Sequence, residues 1–331
     1  MRPLPPGEII DEAERVAPEP TLSGVCDTSP AEDRRQEQGS DSRRPFVGRS
    51  GELEALRSRL GRAGLIMLTG DPGIGKTRLA EEFAAEAQRH GAVVRWGRCW
   101  EGEGAPAFWP WIQIIRDHAH ESDPETLRVQ LGAAAPDVAR LVAELRGCIR
   151  DVPEPPELDA AQSRFRLFDG VTTFLGNVAA ARPLVLVLED LHSADRPSLL
   201  LLRFLVRQVR GVPLLVIGTY RSVEVGRAHP LADVLSELAR QGEELPLTGL
   251  SAPEVQQYLE LVLGAAPARG LATRLHRETE GVGAAPVLPR QRPRRQRHRR
   301  RGHAQTADRP LGARDLRVGA LRPGDGGVRH R

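Results

Sequence analysis

Apolar positions in this chain alternate between short continuous runs and helical stripes. Leu65-Ile66-Met67-Leu68 is an apolar run bounded by glycine and reads as a buried strand. Residues 92–96 read as a second strand. Residues 184–188 form a third, of the buried parallel type, ending in Glu189-Asp190. Residues 214–217 form a fourth, ending at Gly218-Thr219, and 245–247 a fifth. Helical spacing separates them. Ser50 reads as the N-cap of a helix through Leu53, Leu56 and Leu60 that ends at Gly61 and Gly64. Further helices are expected over 76–90, 108–120, 137–149, 159–180, 198–208, 230–240, 252–263 and 267–279, with Pro153, Pro155 and Pro156 breaking the chain. Strands alternating with helices predict an α/β fold with a parallel sheet covered on both faces.

The two ends depart from this pattern. Residues 1–44 are rich in Pro, Ser, Glu, Asp and Arg, hold few large apolar groups, and read as disordered. Residues 281–331 contain 14 Arg against Asp308, Asp315 and Asp325, an excess of 11 positive charges, and have no Lys, Glu or aromatic residue. The whole chain of 331 residues carries +3, so the first 280 residues carry −8. The expected organisation is therefore a disordered segment 1–44, an α/β core 45–250, a partial helical lid 251–280 and a basic low-complexity tail 281–331. Two readings of the tail stand side by side. A GC-rich gene read in a shifted frame yields this Arg, Pro, Gly and Ala texture. A genuine Arg-rich tail would hold nucleic acid through its phosphates without sequence choice.

Some classes drop out. No stretch reaches the roughly 18 apolar residues of a membrane helix, and Pro3, Pro5 and Pro6 stand where a secretory signal would be apolar. Cys26, Cys99 and Cys148 are far apart, which excludes a disulfide scaffold and suits a reducing cytoplasm.

Of 47 basic residues only Lys76 is lysine. A position that stays lysine in so Arg-rich a chain needs a compact ammonium on a slim stem. Lys76 lies in Gly70-Asp71-Pro72-Gly73-Ile74-Gly75-Lys76-Thr77, which fits G-x-x-x-x-G-K-[ST] between a buried strand and a helix. The glycines let backbone N–H groups turn inward around phosphate oxygens, and the helix start adds partial positive charge. Lys76 would reach the β- and γ-phosphates of ATP, and Thr77 would offer its hydroxyl to Mg²⁺. Glu189 and Asp190 end a strand at the carboxyl edge of the sheet, where open α/β folds bind ligands. Glu189 would hold Mg²⁺ through water, and Asp190 would polarise the attacking water. Gly70, Gly73 and Gly75 do not make G-x-G-x-x-G, which excludes a Rossmann dehydrogenase.

Phe46-Val47-Gly48-Arg49, Gly70–Thr77, Glu189-Asp190-Leu191-His192-Ser193-Ala194-Asp195 and Gly218-Thr219-Tyr220-Arg221 occur in this order. Together they resemble the AAA-like ATPase module, similar to the Orc1-like AAA domain, of the large ATP-binding LuxR-type regulators among the signal-transducing STAND ATPases. The resemblance covers about 45–280. It implies a three-layer P-loop NTPase sandwich, slow ATP hydrolysis, a role in transcription control and DNA contact only through other domains, with self-association possible in kind. It implies that Val47 and Gly48 line the adenine pocket and that Arg221 reads the γ-phosphate. The chain departs at Ser193, where the family has Trp, at Glu189, where Asp is commoner, and after Gly281, where Val282 replaces the usual Asn-Pro continuation.

Weaker features have plain readings. Trp100, Phe108, Trp109 and Trp111 suggest core packing over base stacking. The acids and prolines of 151–159 suggest a solvated loop. His192 suggests a structural hydrogen-bonder, and Arg164 or Arg166 an inter-subunit finger without further support. A nucleotide-dead interaction scaffold and a P-loop small-molecule kinase remain the alternatives to an ATP switch.

Overall fold

The computed structural model describes residues 45–281 except 103, 150–151, 155, 157, 210, 264–268 and 280. The chain divides between Pro286 and Val287, and every described residue belongs to the first unit. The expectations for 1–44 and for the tail beyond Gly281 lie outside the described residues.

Five strands build one sheet: β1 (Gly64–Thr69), β2 (Val93–Arg98), β3 (Leu184–Glu189), β4 (Leu214–Tyr220) and β5 (Glu243–Pro246). All pair in parallel, in the order β2-β3-β4-β1-β5. Alternate residues of β1 to β4 enter different cores, as a pleated strand requires. On one face Ile66, Leu68, Val185, Val187, Leu215 and Ile217 pack against α1 (Ser50–Arg59) and α2 (Lys76–Arg89) through Leu56, Leu79 and Phe83. On the other, Leu65, Met67, Leu186, Leu188 and Val216 meet α3 (Trp109–Glu121), α4 (Pro124–Leu131), α5 (Ala135–Leu141), α6 (Leu145–Cys148), α7 (Ala160–Ala181), α8 (Arg196–Gln208) and α9 (Pro230–Gln241). Helix, sheet and helix make the expected three-layer α/β sandwich. Phe83 is wholly buried, and burial of such a side chain contributes roughly 1.5–3 kcal/mol. A third small core, Val255, Leu259 and Ala272, joins α10 (Ala252–Leu263) to α11 (Arg269–Thr279).

Several local expectations need correction. Ser50 is not the N-cap of α1. Arg49 holds that position with φ 61° and no side-chain cap, and Ser50 is already helical. The stretch 137–149 is not one helix, because the chain leaves helical geometry at Val142 (ψ 88°) between α5 and α6. Helix α4 was not anticipated, although its start is marked: Pro124 opens it and Asp123 accepts a hydrogen bond from the Thr126 amide at 2.9 Å. Strand β4 continues through Gly218 and Thr219 to Tyr220. Strand β5 starts two residues before the expected 245–247 run and ends at Pro246, with the Leu247 amide still bonded to the Thr69 carbonyl of β1 at 2.8 Å. Trp111 is buried and donates through Nε1 to the Ser198 carbonyl, but Trp100 is 59% exposed and packs in no core. Arg166 is tied to Asp137 at 2.8 Å within the domain. No helix among the described residues is long and apolar enough to cross a membrane.

Tyr220 closes β4 against the edge strand, its hydroxyl donating to Glu244 Oε1 at 2.8 Å. Burial first, then Glu244, pushes this phenol up to about 12. The folded chain keeps a proton that the unfolded chain releases near pH 10. The resulting stability is whole below that pH and is lost as pH rises towards 12. Tyr220 and Tyr258 are the two tyrosines. We expect Tyr220→Phe to remove the steep part of the stability loss in that window, as followed by denaturant melts and by tyrosinate absorbance. Parallel pH curves for variant and wild type would contradict this.

Candidate nucleotide site

The crossing pattern places the site. From β1 the chain runs past β4 and β3 to β2 at the far edge, and later returns to put β5 on the other side of β1. Loops leaving the carboxyl ends of β1, β3 and β4 therefore open onto one rim, the position favoured for ligands in open parallel sheets.

The loop after β1 is residues 70–75. Ile74 is buried in the α1–α2 core and anchors it, while Asp71, Pro72 and Gly73 are exposed. Gly75 turns the chain into α2 with φ 102°, a conformation that side-chain-bearing residues avoid. A Cβ on Gly73 or Gly75 would meet nothing within 4 Å, so this face of the loop borders open space. No side chain caps α2, which leaves its first amides directed at that space. Lys76 is buried, and its Nζ donates to the carbonyls of Gly70 at 2.8 Å and Asp71 at 2.9 Å. Burial, then the charge of Arg221, holds the ammonium below the usual lysine range, with Asp190 and Asp71 pulling the other way. Lys76, Arg221 and Asp190 thus share one electrostatic environment. Thr77 lies exposed in the first turn of α2. Open room, glycine amides and a poised ammonium fit a polyphosphate.

The β3 rim carries the acids. Glu189 is the last residue of β3 and is buried. Asp190 follows in the left-handed region, φ 58° and ψ 46°, which Asp tolerates better than most residues. Its amide donates to Thr219 Oγ1 of β4 at 3.0 Å, which fixes the turn. Asp190 Oδ2 lies 3.5 Å from Arg98 Nε. Arg221, just past β4, pairs with Glu101 at 2.9 Å and Glu224 at 2.8 Å. His192 is buried, but it is not the structural hydrogen-bonder its position suggested: neither ring nitrogen has a hydrogen-bond partner.

The amino-terminal segment reaches the same rim. Val47 is buried, and Gly48, with φ 69°, lies so close to Glu254 of α10 that a Cβ would come within 2.8 Å of its carboxyl carbon. Arg49 was quoted only as part of a motif, yet it is the brace of this corner. It is 9% exposed and donates to the Ile74 carbonyl at 3.1 Å, to the Thr248 carbonyl and to Glu52 at 2.9 Å. One guanidinium thus joins α1, the loop after β1 and the chain beyond β5, which the planar fork of arginine suits. Arg49→Ala strips the donor from two carbonyls, at about 1–3 kcal/mol each where water cannot replace it. We expect urea melts to show a loss in that range, with Arg49→Lys recovering only part. A loss below about 0.5 kcal/mol, the usual scale of an unremarkable surface change, would contradict the brace. Glu101, Glu224 and Arg98 were also missed. Glu224 was readable as an i,i+3 partner of Arg221, whereas Glu101 and Arg98 gave no signal.

A family model described as the AAA ATPase domain matches residues 45–217, more than half of the chain. The chain belongs to the AAA ATPase domain family. No curated protein matches it. Solved structures similar to this AAA ATPase domain include the Pyrococcus horikoshii STAND protein with a tetratricopeptide repeat sensor, at 17% identity and TM-score 0.41, covering 71% of this chain and 28% of that one. Another is the Aeropyrum pernix ORC2 protein in ADPNP–ADP complexes, at 19% identity and TM-score 0.38, covering 65% and 52%. The ORC1 protein of the same organism in complex with DNA has 16% identity and TM-score 0.35, covering 70% and 56%. The chain therefore spans between 28% and 56% of the length of these relatives.

Proposed function

We propose that this P-loop ATPase module binds ATP with Mg²⁺, hydrolyses it slowly, and works as the switch of a signal-transducing regulator of transcription. The observation that carries the reading is the convergence of the Gly70–Thr77 loop, Asp190 and Arg221 on one rim of the sheet. Val47 and Gly48 would border the adenine. The loop amides and Lys76 would hold the phosphates. Thr77 and Glu189 would hold Mg²⁺, which when bound offsets phosphate charge. Asp190 would accept a proton from the attacking water, and Arg221 would meet the γ-phosphate.

Lys76 and Arg221 are held by protein groups that a polyphosphate would replace: two loop carbonyls, and the carboxylates of Glu101 and Glu224. The ion pairs of Arg221 are partly exposed, and such pairs contribute at most about 1 kcal/mol, so a γ-phosphate can draw Arg221 away. In this reading 45–250 is the nucleotide core and 251–280 the lid. The lid would sense the nucleotide through the Gly48–Glu254 contact. A ligand with different contacts in two lid positions shifts their populations. ATP and ADP are the primary partners, and self-association, a cytoplasmic setting and DNA contact through other domains belong to the same proposal. Calorimetry of the full chain with Mg-ATP should show one nucleotide per chain. No heat of association with ATP or ADP from folded protein would end the proposal.

A further inference from the structure

His192 has no role in the nucleotide reading, and it lies beside Glu101 and Asp190. Glu101, Asp190 and His192 each offer a ligand atom, and the three atoms lie within 4.8 Å of one another. Glu101 follows β2, Asp190 follows β3, and His192 sits in a one-turn 3₁₀ helix, Leu191–Ser193. The His192 side chain is 2% exposed. Its Nε2 lies 3.3 Å from Glu224 Oε2 and 3.6 Å from Glu101 Oε1, yet neither ring nitrogen makes a hydrogen bond. A polar group buried without a partner is costly and usually signals a missing ion, water or role.

We propose that Glu101, Asp190 and His192 form a binding site for a divalent transition-metal cation, of which Zn²⁺ is the best fit. One imidazole nitrogen and two carboxylate oxygens make a three-ligand set of the kind Zn²⁺ takes, with a fourth position for water or Glu224. Mg²⁺ prefers oxygen ligands and keeps its waters, so the imidazole selects against it. Zinc–ligand distances of about 2.0–2.2 Å require the three groups to draw together. His192 is fixed by burial and the Asp190 backbone by its amide bond to Thr219 Oγ1, whereas Glu101 is 54% exposed and can turn. Arg221 competes for Glu101 but keeps Glu224 when Glu101 moves.

The regulatory consequence rests on the proposed ATP switch; the metal site does not. A cation on Asp190 would occupy the carboxylate assigned to the attacking water, slowing hydrolysis while leaving the Lys76 loop free to hold phosphates.

The test uses the full-length chain, stripped of metal and titrated with Co²⁺ as a visible-absorbing probe. We expect one Co²⁺ per chain, displaced by Zn²⁺ and indifferent to excess Mg²⁺. Glu101→Gln and His192→Asn should each weaken Co²⁺ binding by at least about tenfold, since even loss of an outer-sphere partner costs that much. Lys76→Ala should not weaken Co²⁺ binding, since it removes a positive charge from the surroundings of Asp190. Glu101 is exposed, so its variant keeps the test valid if His192→Asn fails to fold. Co²⁺ bound equally tightly by both folded variants would place it on other His or Cys residues and overturn the proposal, as would no binding by the wild type. Co²⁺ binding without ATP binding would support the metal site and remove only its regulatory consequence.

Discussion

Lys76→Ala is expected to lower affinity for Mg-ATP by about a hundredfold. Charge-assisted hydrogen bonds are worth roughly 1.5–3 kcal/mol each, and two such contacts to phosphate oxygens reach that factor at about 1.4 kcal/mol per tenfold. The fold should hardly notice. The ammonium now satisfies two carbonyls of a half-open loop, and its burial works against its charge. Melting temperatures of variant and wild type should therefore lie within a few degrees, while titration with a fluorescent ATP analogue separates them. Lys76→Arg is the sharper test. The two carbonyls grip a point charge, and a planar guanidinium is too broad for the same slot, so arginine should not restore binding. Equal affinity in the wild type and both variants would favour a scaffold that ignores nucleotide.

Asp190→Asn should separate binding from turnover. Removal of a positioned general base costs typically 10²–10⁴ in rate, and we expect single-turnover phosphate release to fall within that range. ATP affinity should change by less than about threefold, since no phosphate contact is assigned to Asp190. Asparagine tolerates the left-handed backbone as aspartate does, and the amide of residue 190 keeps its bond to Thr219, so the turn survives. Unchanged phosphate release would assign the proton to another group, with Glu189 the neighbour to examine next. Phosphate appearing on a metabolite and not in solution would mark a small-molecule kinase.

The parts legible in advance were those whose physics is local. A glycine loop between an apolar strand and a helix can be read residue by residue, because positive φ and close backbone approach are properties of single positions. The lone lysine stood out for a similar reason: the need for an ammonium acts on one side chain. Burial runs also carried. The expected sandwich follows from strands such as Leu184–Glu189, in which every position is buried. Helix breaks were less legible. Whether the stretch around Val142 continues or bends depends on packing against α7 (Ala160–Ala181), which no window of residues contains.

By itself, the chain's order of residues determined the three layers, the glycine loop after β1, the acid-ended strand and the arginine beyond β4. It could not determine that Arg221 pairs with Glu101, 120 positions earlier, or that Arg49 reaches the carbonyl of Thr248, 199 positions later. Nor could it show that a buried histidine faces carboxylates without a hydrogen bond. Those contacts exist because the crossing order β2-β3-β4-β1-β5 folds distant loops onto one rim. Hydrophobic spacing specifies which faces are buried; only the assembled sheet decides which charges then meet.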